Sequence, residues 1–327
     1  MWSRVMVMAV SIIAAMTVTS CLKYEKKDNT STAGTATLFC DETFRNIMEQ
    51  EVDVFEYQYP DAHILARYGT QSEAIDSLLS LNTQTIVIAR DLTEQEMKYL
   101  KTKRSRVRSQ KIAVDALAFI INDKNPVEML TVGELGDILS GESPRWDDLQ
   151  PCNLGEIKVV VDNAGSSMVK SLSDSLCHGE PLGKNVFAAG SIPDVFAAVE
   201  KDPNAIGVLG VSWITSDMSS ADMSRDELAE SVLSDDPIEG ATLTQRVKVM
   251  KVRRNDEVRA YKPYQQNIFD GTYPLFRQIY MITTAHPGSP GGGFYSFVTG
   301  DIGQKIILKT GIMPARTRIQ VVQVGED

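Results

Sequence analysis

Short apolar segments alternate with amphipathic segments along almost the whole chain, and this alternation restricts the possible folds more than any other feature. Residues 85–89 form an apolar run typical of a buried strand, whereas residues 72–79 carry apolar side chains at the spacing of one helix face. The same succession restarts after the longest strand signal, residues 112–121, which ends in a polar turn at 122–126. Strands that alternate with amphipathic helices are typical of α/β proteins with mostly parallel sheets. The sequence therefore predicts two α/β units with a crossing near this turn.

Length and charge limit the classes of partner. The 327 residues suffice for about two domains. The net charge of −10 argues against a general nucleic-acid binder, because such proteins neutralise phosphates with clustered lysine and arginine. After residue 20, no apolar run approaches the roughly 20 residues that a membrane-spanning helix needs. We therefore expect a small-molecule partner, no nucleic acid, and contact with a membrane only through an attached lipid.

The N-terminus has the pattern of a secretion signal in residues 1–20. A single basic residue precedes an apolar segment, residues 5–15, that is too short to span a bilayer. Residues 18–21, Val-Thr-Ser-Cys, resemble the bacterial lipoprotein box, in which cleavage leaves Cys21 to carry acyl chains. Residues 21–35 are polar enough to serve as a solvated tether. We expect a protein lipid-anchored at Cys21 on the periplasmic or cell-surface side of a bacterial membrane, with a cleaved but unlipidated signal as the alternative.

One segment is strongly basic. The stretch from Lys98 to Lys111 contains seven basic residues in fourteen positions and no acid. On a chain this acidic, such a run can dock an acidic partner or an anionic surface. A solvated helix end and loop is the simpler interpretation, and the sequence leaves both open.

The cysteine and histidine pattern predicts no metal site, and no cofactor is expected. The exported chain keeps Cys40, Cys152 and Cys177, and none of them stands at a Cys-x-x-Cys or Cys/His metal spacing. We expect structural free thiols, with a Cys152–Cys177 disulfide as the alternative.

Small hydroxyl residues collect where predicted strands turn into helices. Thr43, Thr70 with Ser72, and Ser166 with Ser167 stand at three such turns, which come from both halves of the chain. Backbone N–H groups at helix N-termini lack partners, and ligands of open α/β sheets bind at these carboxyl-end turns. Together the turns predict a cleft that surrounds a small oxyanion with N–H and O–H donors. Ordinary helix capping by serine and threonine is the alternative at each turn.

Six motifs occur in a recognisable order and spacing. They are Asp-Glu-Thr-Phe at 41–44, Asp-Ala-Leu-Ala-Phe-Ile-Ile-Asn at 115–122, Leu-Gly-Asp-Ile-Leu-Ser-Gly at 135–141, Ala-Ile-Gly-Val-Leu-Gly at 205–210, Tyr-Pro-Leu-Phe-Arg-Gln-Ile-Tyr at 273–280 and Gly-Gln-Lys-Ile-Ile at 303–307. In this order they resemble the phosphate-binding proteins of ABC-type phosphate importers, from about residue 36 to residue 315.

That resemblance implies the type II periplasmic binding protein fold, an α/β architecture of two lobes. Each lobe is a mostly parallel sheet flanked by helices, and a two-strand hinge lets the lobes close on a ligand. The implied division is a signal peptide (1–20), a lipidated cysteine and tether (21–35), the first part of lobe 1 (36–118), lobe 2 (119–270) and the completion of lobe 1 (271–327). A monomer is expected.

The resemblance also implies a ligand-binding set. Carried onto this sequence residue by residue, it comprises Thr43, Phe44, Thr70 or Ser72, Arg90 or Asp91, Ser166 and Ser167.

At the last of these turns the chain departs from the family, which shows Ser-Gly-Thr with an arginine shortly before it. Ser166, Ser167 and Met168 stand there instead, and Asp162 lies near the arginine position. A bulky side chain replaces a hydroxyl donor, and the cation is missing.

Two neighbouring residues offer a compensation. We hypothesise that Arg90 supplies the cation from the other lobe through bidentate contact with the anion. Asp91 would accept the proton of hydrogen phosphate, which sulfate cannot donate at neutral pH; a plain helix N-terminal acid is the alternative.

The resemblance predicts an extracytoplasmic solute-binding lipoprotein. It would capture an inorganic oxyanion, phosphate first among them, in the cleft between the lobes and deliver it to an ABC permease. The alternative is a sensing or scaffolding module of the same fold with altered or lost anion specificity. An enzyme is not expected, because no Gly-x-Ser-x-Gly elbow surrounds Ser166 or Ser167 and the chain has only three histidines.

Overall fold

The structure is a computed structural model that describes residues 29–103, 105–215, 224–234 and 246–316. Its strands are β1 (Gly34–Asp41), β2 (Ala62–Gly69), β3 (Thr85–Ile88), β4 (Arg108–Asn122), β5 (Met129–Thr131), β6 (Lys158–Val161), β7 (Val186–Ala188), β8 (Ala205–Gly210), β9 (Val247–Val249), β10 (Lys251–Arg253), β11 (Phe276–Thr283) and β12 (Met313–Pro314). Its helices are α1 (Arg45–Gln58), α2 (Gln71–Leu79), α3 (Glu94–Thr102), α4 (Val132–Ser140), α5 (Trp146–Leu149), α6 (Ser167–Leu176), α7 (Ile192–Lys201), α8 (Ser212–Thr215), α9 (Arg225–Leu233), α10 (Gln265–Phe269), α11 (Pro290–Val298) and α12 (Asp301–Lys309). A 3-10 turn, Glu42–Phe44, joins β1 to α1.

One long strand links the two lobes. The main sheet has the order β2-β1-β3-β11-β4-β8-β6-β7, with β9 and β12 also paired to β4. Along β4, the partner is β11 through Ala116 and β8 from Leu117 onward. The chain returns beside this crossing, where the N–H of Leu117 donates to the carbonyl of Leu275. β4 therefore belongs to both lobes.

Strand direction brings the carboxyl ends of both lobes together. In lobe 1, β1 is parallel to β2 and β3; in lobe 2, β6 is parallel to β7 and β8. β8 is antiparallel to β4, so its last residue, Gly210, pairs with Leu117 at the crossing. The turns after β1 and after β6 consequently face each other, which is where ligands of such sheets bind.

The prediction of a two-lobed α/β fold with mostly parallel strands is confirmed, with local differences. β1 begins at Gly34, inside the predicted tether, because Gly34–Asp41 pairs residue by residue with Ala62–Gly69. The apolar pattern of residues 294–308 predicts one closing helix, and that is wrong: α11 begins at Pro290, capped by Ser289, and α12 begins after Gly300. The lobe boundaries at 118 and 270 stay predictions, and the signal peptide and Cys21 lie outside the described residues.

The described ranges also show the state of the three cysteines. Cys40, Cys152 and Cys177 are free thiols, so the alternative disulfide is not formed. No helix within the described part of the chain is long and apolar enough to cross a membrane.

Candidate anion-binding site

A hydroxyl pair joins the two lobes at their facing turns. Thr43 Oγ1 and Ser167 Oγ lie 3.3 Å apart, one from the turn after β1 and the other from the first residue of α6. Both residues are buried. Two of the hydroxyl residues predicted from opposite halves of the chain are thus in direct contact.

Each turn is held by a carboxylate. Asp41 Oδ1 accepts the N–H of Thr43 at 3.0 Å and its hydroxyl at 2.9 Å, so the aspartate caps the turn that leads into α1. Across the cleft, the hydroxyl of Ser166 donates to Asp162 Oδ1 at 2.8 Å and accepts the N–H of Val169, which caps α6. Serine and aspartate are the preferred residues at these positions because their oxygens satisfy N–H groups that the helix leaves open.

A buried arginine completes the cluster. Arg277, on β11, places Nη1 3.3 Å from Ser167 Oγ and its guanidinium carbon 4.4 Å from the centroid of the Phe44 ring. Its Nη2 and Nε donate to Asp115 Oδ2 at 3.0 and 3.2 Å. The arginine therefore touches a group from each lobe and stacks on an aromatic face, a favourable position for a cation.

Asp115 holds Arg277 from the neighbouring strand, where the two residues are register partners. Its other oxygen, Oδ1, accepts the N–H groups of Ala116 at 2.9 Å and Val211 at 3.0 Å. Gly210 makes room, because a Cβ there would lie 2.4 Å from Asp115 Oδ2. Burial raises the pKa of Asp115, and the charge of Arg277 opposes that rise.

Two further hydrogen bonds join the lobes beside this cluster. Trp213 Nε1 donates to the carbonyl of Thr43 at 3.0 Å, and Asn46 Nδ2 donates to the carbonyl of Ser212 at 2.9 Å. In each of the two bonds, the donor and the acceptor come from opposite lobes. The structure is therefore closed at the Thr43–Ser167 contact.

A cleft of about 320 Å³ adjoins the hydroxyl pair. Its lining combines both lobes: Asp41, Glu42, Gly69, Thr70 and Glu73 from the first, and Asp162, Asn163, Ser166 and Gly190 from the second. None of these lining residues is a lysine or an arginine. Burial raises the pKa of Asp162, while the Ser166 hydroxyl and the charge of Arg277 act in the opposite direction.

Asp41 stands out among these groups. It is 0% exposed, and its Oδ2 has no hydrogen-bond partner in the described part of the chain. A buried carboxylate oxygen without a donor is costly, so a group that donated a hydrogen bond to Oδ2 would remove that cost.

The remaining predicted residues lie apart from the Thr43–Ser167 contact. Thr70 lines the adjoining cleft, but its hydroxyl is engaged with Glu73 in the capping box of α2. Ser72 is exposed on that helix. Arg90 donates with both Nη atoms to Glu96 at 2.9 and 2.8 Å, and Asp91 accepts the hydroxyl of Ser109 at 2.6 Å.

Sequence reasoning missed Arg277, Asp115 and Asp41, although all three lie in motifs that carried the resemblance. A signal for the first two is present in the strand patterns. β11 alternates exposed Phe276, buried Arg277, exposed Gln278 and buried Ile279, so the arginine stands at an inward position. An inward cation on one strand and an aspartate within the apolar run of another predict a buried pair once the strands are known to be neighbours.

Neither serine hydroxyl has a histidine among its hydrogen-bond partners in the described part of the chain. His63 and His178 are exposed, and His286 Nδ1 accepts the N–H of Gly288 far along the chain. Among the described residues no group of three or more histidine, cysteine, aspartate or glutamate side chains could hold a metal ion.

The comparison with known families agrees with this geometry. The family model of the PBP (periplasmic binding protein) superfamily domain matches residues 26–301. The chain belongs to this superfamily. One relative is the phosphate-binding protein PstS of Pseudomonas aeruginosa. It is 22% identical over 322 residues, which cover 93% of this chain and 90% of the relative. PstS of Staphylococcus saprophyticus is 23% identical over 263 residues, covering 77% of this chain and 70% of the relative.

Solved structures show the same fold in this superfamily. The crystal structure of a phosphate ABC transporter substrate-binding protein with bound phosphate, from Clostridium perfringens, superposes with a TM-score of 0.66 at 20% identity. The match covers 86% of this chain and 100% of that one. At this level of identity the likeness shows the two-lobed architecture.

Proposed function

We propose that this chain is an extracytoplasmic solute-binding lipoprotein that captures inorganic phosphate in its inter-lobe cleft and delivers it to an ABC permease. The observation that carries the proposal is the contact of one buried arginine, Arg277, with the hydroxyl pair at which the two lobes meet. The family supports the ligand, because the relatives PstS of P. aeruginosa and S. saprophyticus are phosphate-binding proteins. The lipid anchor at Cys21 is proposed from the sequence alone.

The proposed site assigns a role to each group. Ser167 would donate its O–H group, whereas the hydroxyls of Thr43 and Ser166 would have to leave Asp41 and Asp162 before they could donate to an anion. The start of α1 at Phe44 and the start of α6 would donate N–H groups, and Thr70 would close the side of the cleft, with Ser72 on the exposed face of the same helix. Arg277 takes the place of the cation that the sequence alone assigned to Arg90, since Arg90 is already paired with Glu96. Donors held in place by the fold replace the hydration shell of the anion, which makes binding possible away from bulk water.

The carboxylates around the site favour an anion that carries a proton. Asp41 already accepts a hydrogen bond from the N–H of Thr43, and Asp162 lies across the cleft. Both carboxylates repel any anion, but hydrogen phosphate can offset the repulsion by donating a hydrogen bond to Asp41 Oδ2. Sulfate has no such proton at neutral pH, so it would leave the buried oxygen without a partner.

Asp41 is therefore expected to govern the choice between phosphate and sulfate. In Asp41→Asn the amide keeps the cap but offers an N–H to any oxyanion, so the preference for phosphate over sulfate should fall by about tenfold or more. Isothermal titration calorimetry with both anions measures the ratio. Asp91→Asn serves as the matched control and should leave the ratio unchanged; a loss of selectivity in the control alone would return the role to Asp91.

Ligand capture itself is tested by thermal unfolding. The exported protein is unfolded and refolded to remove carried-over ligand, then heated with phosphate, arsenate, sulfate or molybdate. A ligand at about 1,000 times its dissociation constant adds about 4 kcal/mol, which corresponds to several degrees for a chain of this size. A rise with phosphate and arsenate, but not with sulfate, is expected. No rise with any anion would contradict the proposal.

One observation favours a second candidate, a sensing or scaffolding module of the same fold. The cleft is lined by four carboxylates and no lysine or arginine, and Met168 stands where the family has a hydroxyl. Such a cleft disfavours anions unless Arg277 becomes accessible when the lobes part. The unfolding experiment distinguishes the two functions, because a module that has lost its ligand would not respond to any oxyanion.

A further inference from the structure

The edge of lobe 1 opposite the cleft carries the basic segment. β4 and β3 both run antiparallel to β11, so the first residues of β3 and β4, Thr85 and Arg108, both pair with Thr283 at the end of β11. β1 is parallel to β3, and its first residue, Gly34, lies at the same edge. α3 runs back from the cleft side and ends near the start of β4. The amino-terminal edge of the sheet therefore collects the end of α3, the start of β4 and the start of β1.

We propose that this edge is a surface that lies against an anionic phospholipid bilayer. We call it the basic pole and define it by Lys98, Lys101, Lys103, Arg106 and Arg108. The first four are exposed, and none of them forms an ion pair with a described residue. Their charge is thus available to a partner, on a chain whose net charge of −10 would otherwise be repelled by anionic lipid.

An exposed aromatic ring accompanies these charges. Tyr99 is 45% exposed, and the Lys103 ammonium lies 5.3 Å from its ring centroid. Tyrosine beside lysine is a combination that suits the headgroup region, where the ring meets apolar chains and the cation meets phosphate. Lys101, in the last turn of α3, and Lys103, which follows the helix as its C-cap, also lie where the helix dipole favours a positive charge.

The chain enters the fold at the same edge, on the other face of the sheet from α3. Arg108 donates to the carbonyl of Ala285 at 3.2 Å and lies 4.5 Å from the ring centroid of Tyr295 on α11. The N-terminal segment packs on the same helix, so closely that a Cβ on Gly293 would collide with the backbone of Ser31. The N-terminal segment at Ser31 consequently lies on the helix that Arg108 contacts.

Chain length then limits how far this edge can lie from a membrane. Residues 21 to 29 span at most about 30 Å when fully extended. If Cys21 carries the lipid, as the proposed function has it, the amino-terminal edge that carries the basic pole is tethered near the headgroups, and the cleft opens on the far side. Acids also occur at this edge: Asp61 and Asp301 lie on the side of the N-terminal segment, and Asp91 accepts the hydroxyl of Ser109, next to Arg108.

The test uses vesicles and a chain without the acyl group, so its outcome does not depend on lipidation or on phosphate binding. The exported chain with Cys21→Ser is sedimented with phosphatidylcholine vesicles that contain, or lack, about 30% phosphatidylglycerol, at about 50 mM and 150 mM salt. Binding is expected only with phosphatidylglycerol and should weaken at the higher salt.

Charge removal gives the decisive comparison. The triple variant Lys101→Gln, Lys103→Gln, Arg106→Gln should lose about 100-fold in vesicle affinity, since each basic group near an anionic leaflet contributes about fivefold. The control Lys124→Gln, Lys184→Gln, Arg259→Gln changes the net charge equally at exposed positions elsewhere and should bind as the parent does. Equal binding by the two triple variants, or binding to neutral vesicles, would overturn the proposal and leave an acidic protein as the partner of the basic pole.

Discussion

Replacing Arg277 by methionine is expected to weaken phosphate binding by about 100-fold or more and to lower the free energy of unfolding by about 3–5 kcal/mol. Binding falls because the guanidinium is the cation that touches the Thr43–Ser167 pair. Stability falls because Asp115 is left as an unpaired charge with no exposed surface. Calorimetric titration and urea unfolding measure the two effects separately.

Two control variants keep these effects apart. Asp115→Asn added to Arg277→Met removes the buried charge but keeps an oxygen for the N–H groups of Ala116 and Val211, so stability should recover and binding should not. Arg90→Met should retain full affinity, because Arg90 lies in an ion pair with Glu96. If Arg90→Met lost binding while Arg277→Met kept it, the cation predicted from the sequence would be the correct one.

Replacing Glu51 by methionine is expected to raise the free energy of unfolding by about 2–3 kcal/mol at about pH 8. Glu51, on α1, is 0% exposed, and both carboxylate oxygens lack a hydrogen-bond partner in the described part of the chain. Burial raises its pKa well above the usual range of a glutamate. The folded state therefore keeps the proton at a pH where the unfolded chain has released it.

The sign of the pH dependence follows from this raised pKa. Protonated Glu51 favours the folded state below the ordinary glutamate pKa, and this contribution is lost as the pH rises toward the folded-state value. The gain in Glu51→Met should thus be small at about pH 5 and grow toward about pH 8. Glu49→Met, at an exposed position of the same helix, should change stability by about 0.5 kcal/mol or less at either pH. A gain from Glu51→Met that does not depend on pH would mean that the carboxylate does not titrate in this range.

The sequence alone predicted most of the architecture. Apolar runs separated by amphipathic segments indicated strands and helices, and parallel strands need helical crossovers, so the α/β class follows from local pattern. The turn at Thr43 and the turn at Ser166 were located correctly as strand-to-helix turns, because each holds a capping residue: Asp41 accepts the N–H of Thr43 at the first, and Ser166 accepts the N–H of Val169 at the second. Glu51 could have been placed in the core, since it stands four residues after Ile47 and three before Val54 on the apolar stripe.

Local pattern was insufficient where a side chain had a choice of partner. Arg90 follows a buried strand at the carboxyl end, which makes it a reasonable ligand for an anion. In the structure, Arg90 forms an ion pair with the nearby Glu96 of the α3 capping box. This pairing lowers the pKa of Glu96 to about 2. Competition from a partner six residues away is decided by helix geometry and cannot be read from composition.

The sequence by itself determined the α/β class, the two-lobed repeat, the capped turns at Thr43 and Ser166 and the basic segment, because each depends on residues close together along the chain. Only the tertiary structure decided that Arg277 meets Ser167, 110 residues away, and that Asp115 lies opposite it. These contacts require β11 to insert between β3 and β4 and the lobes to close. Strand order and closure depend on the packing of the whole core, so no local signal specifies them.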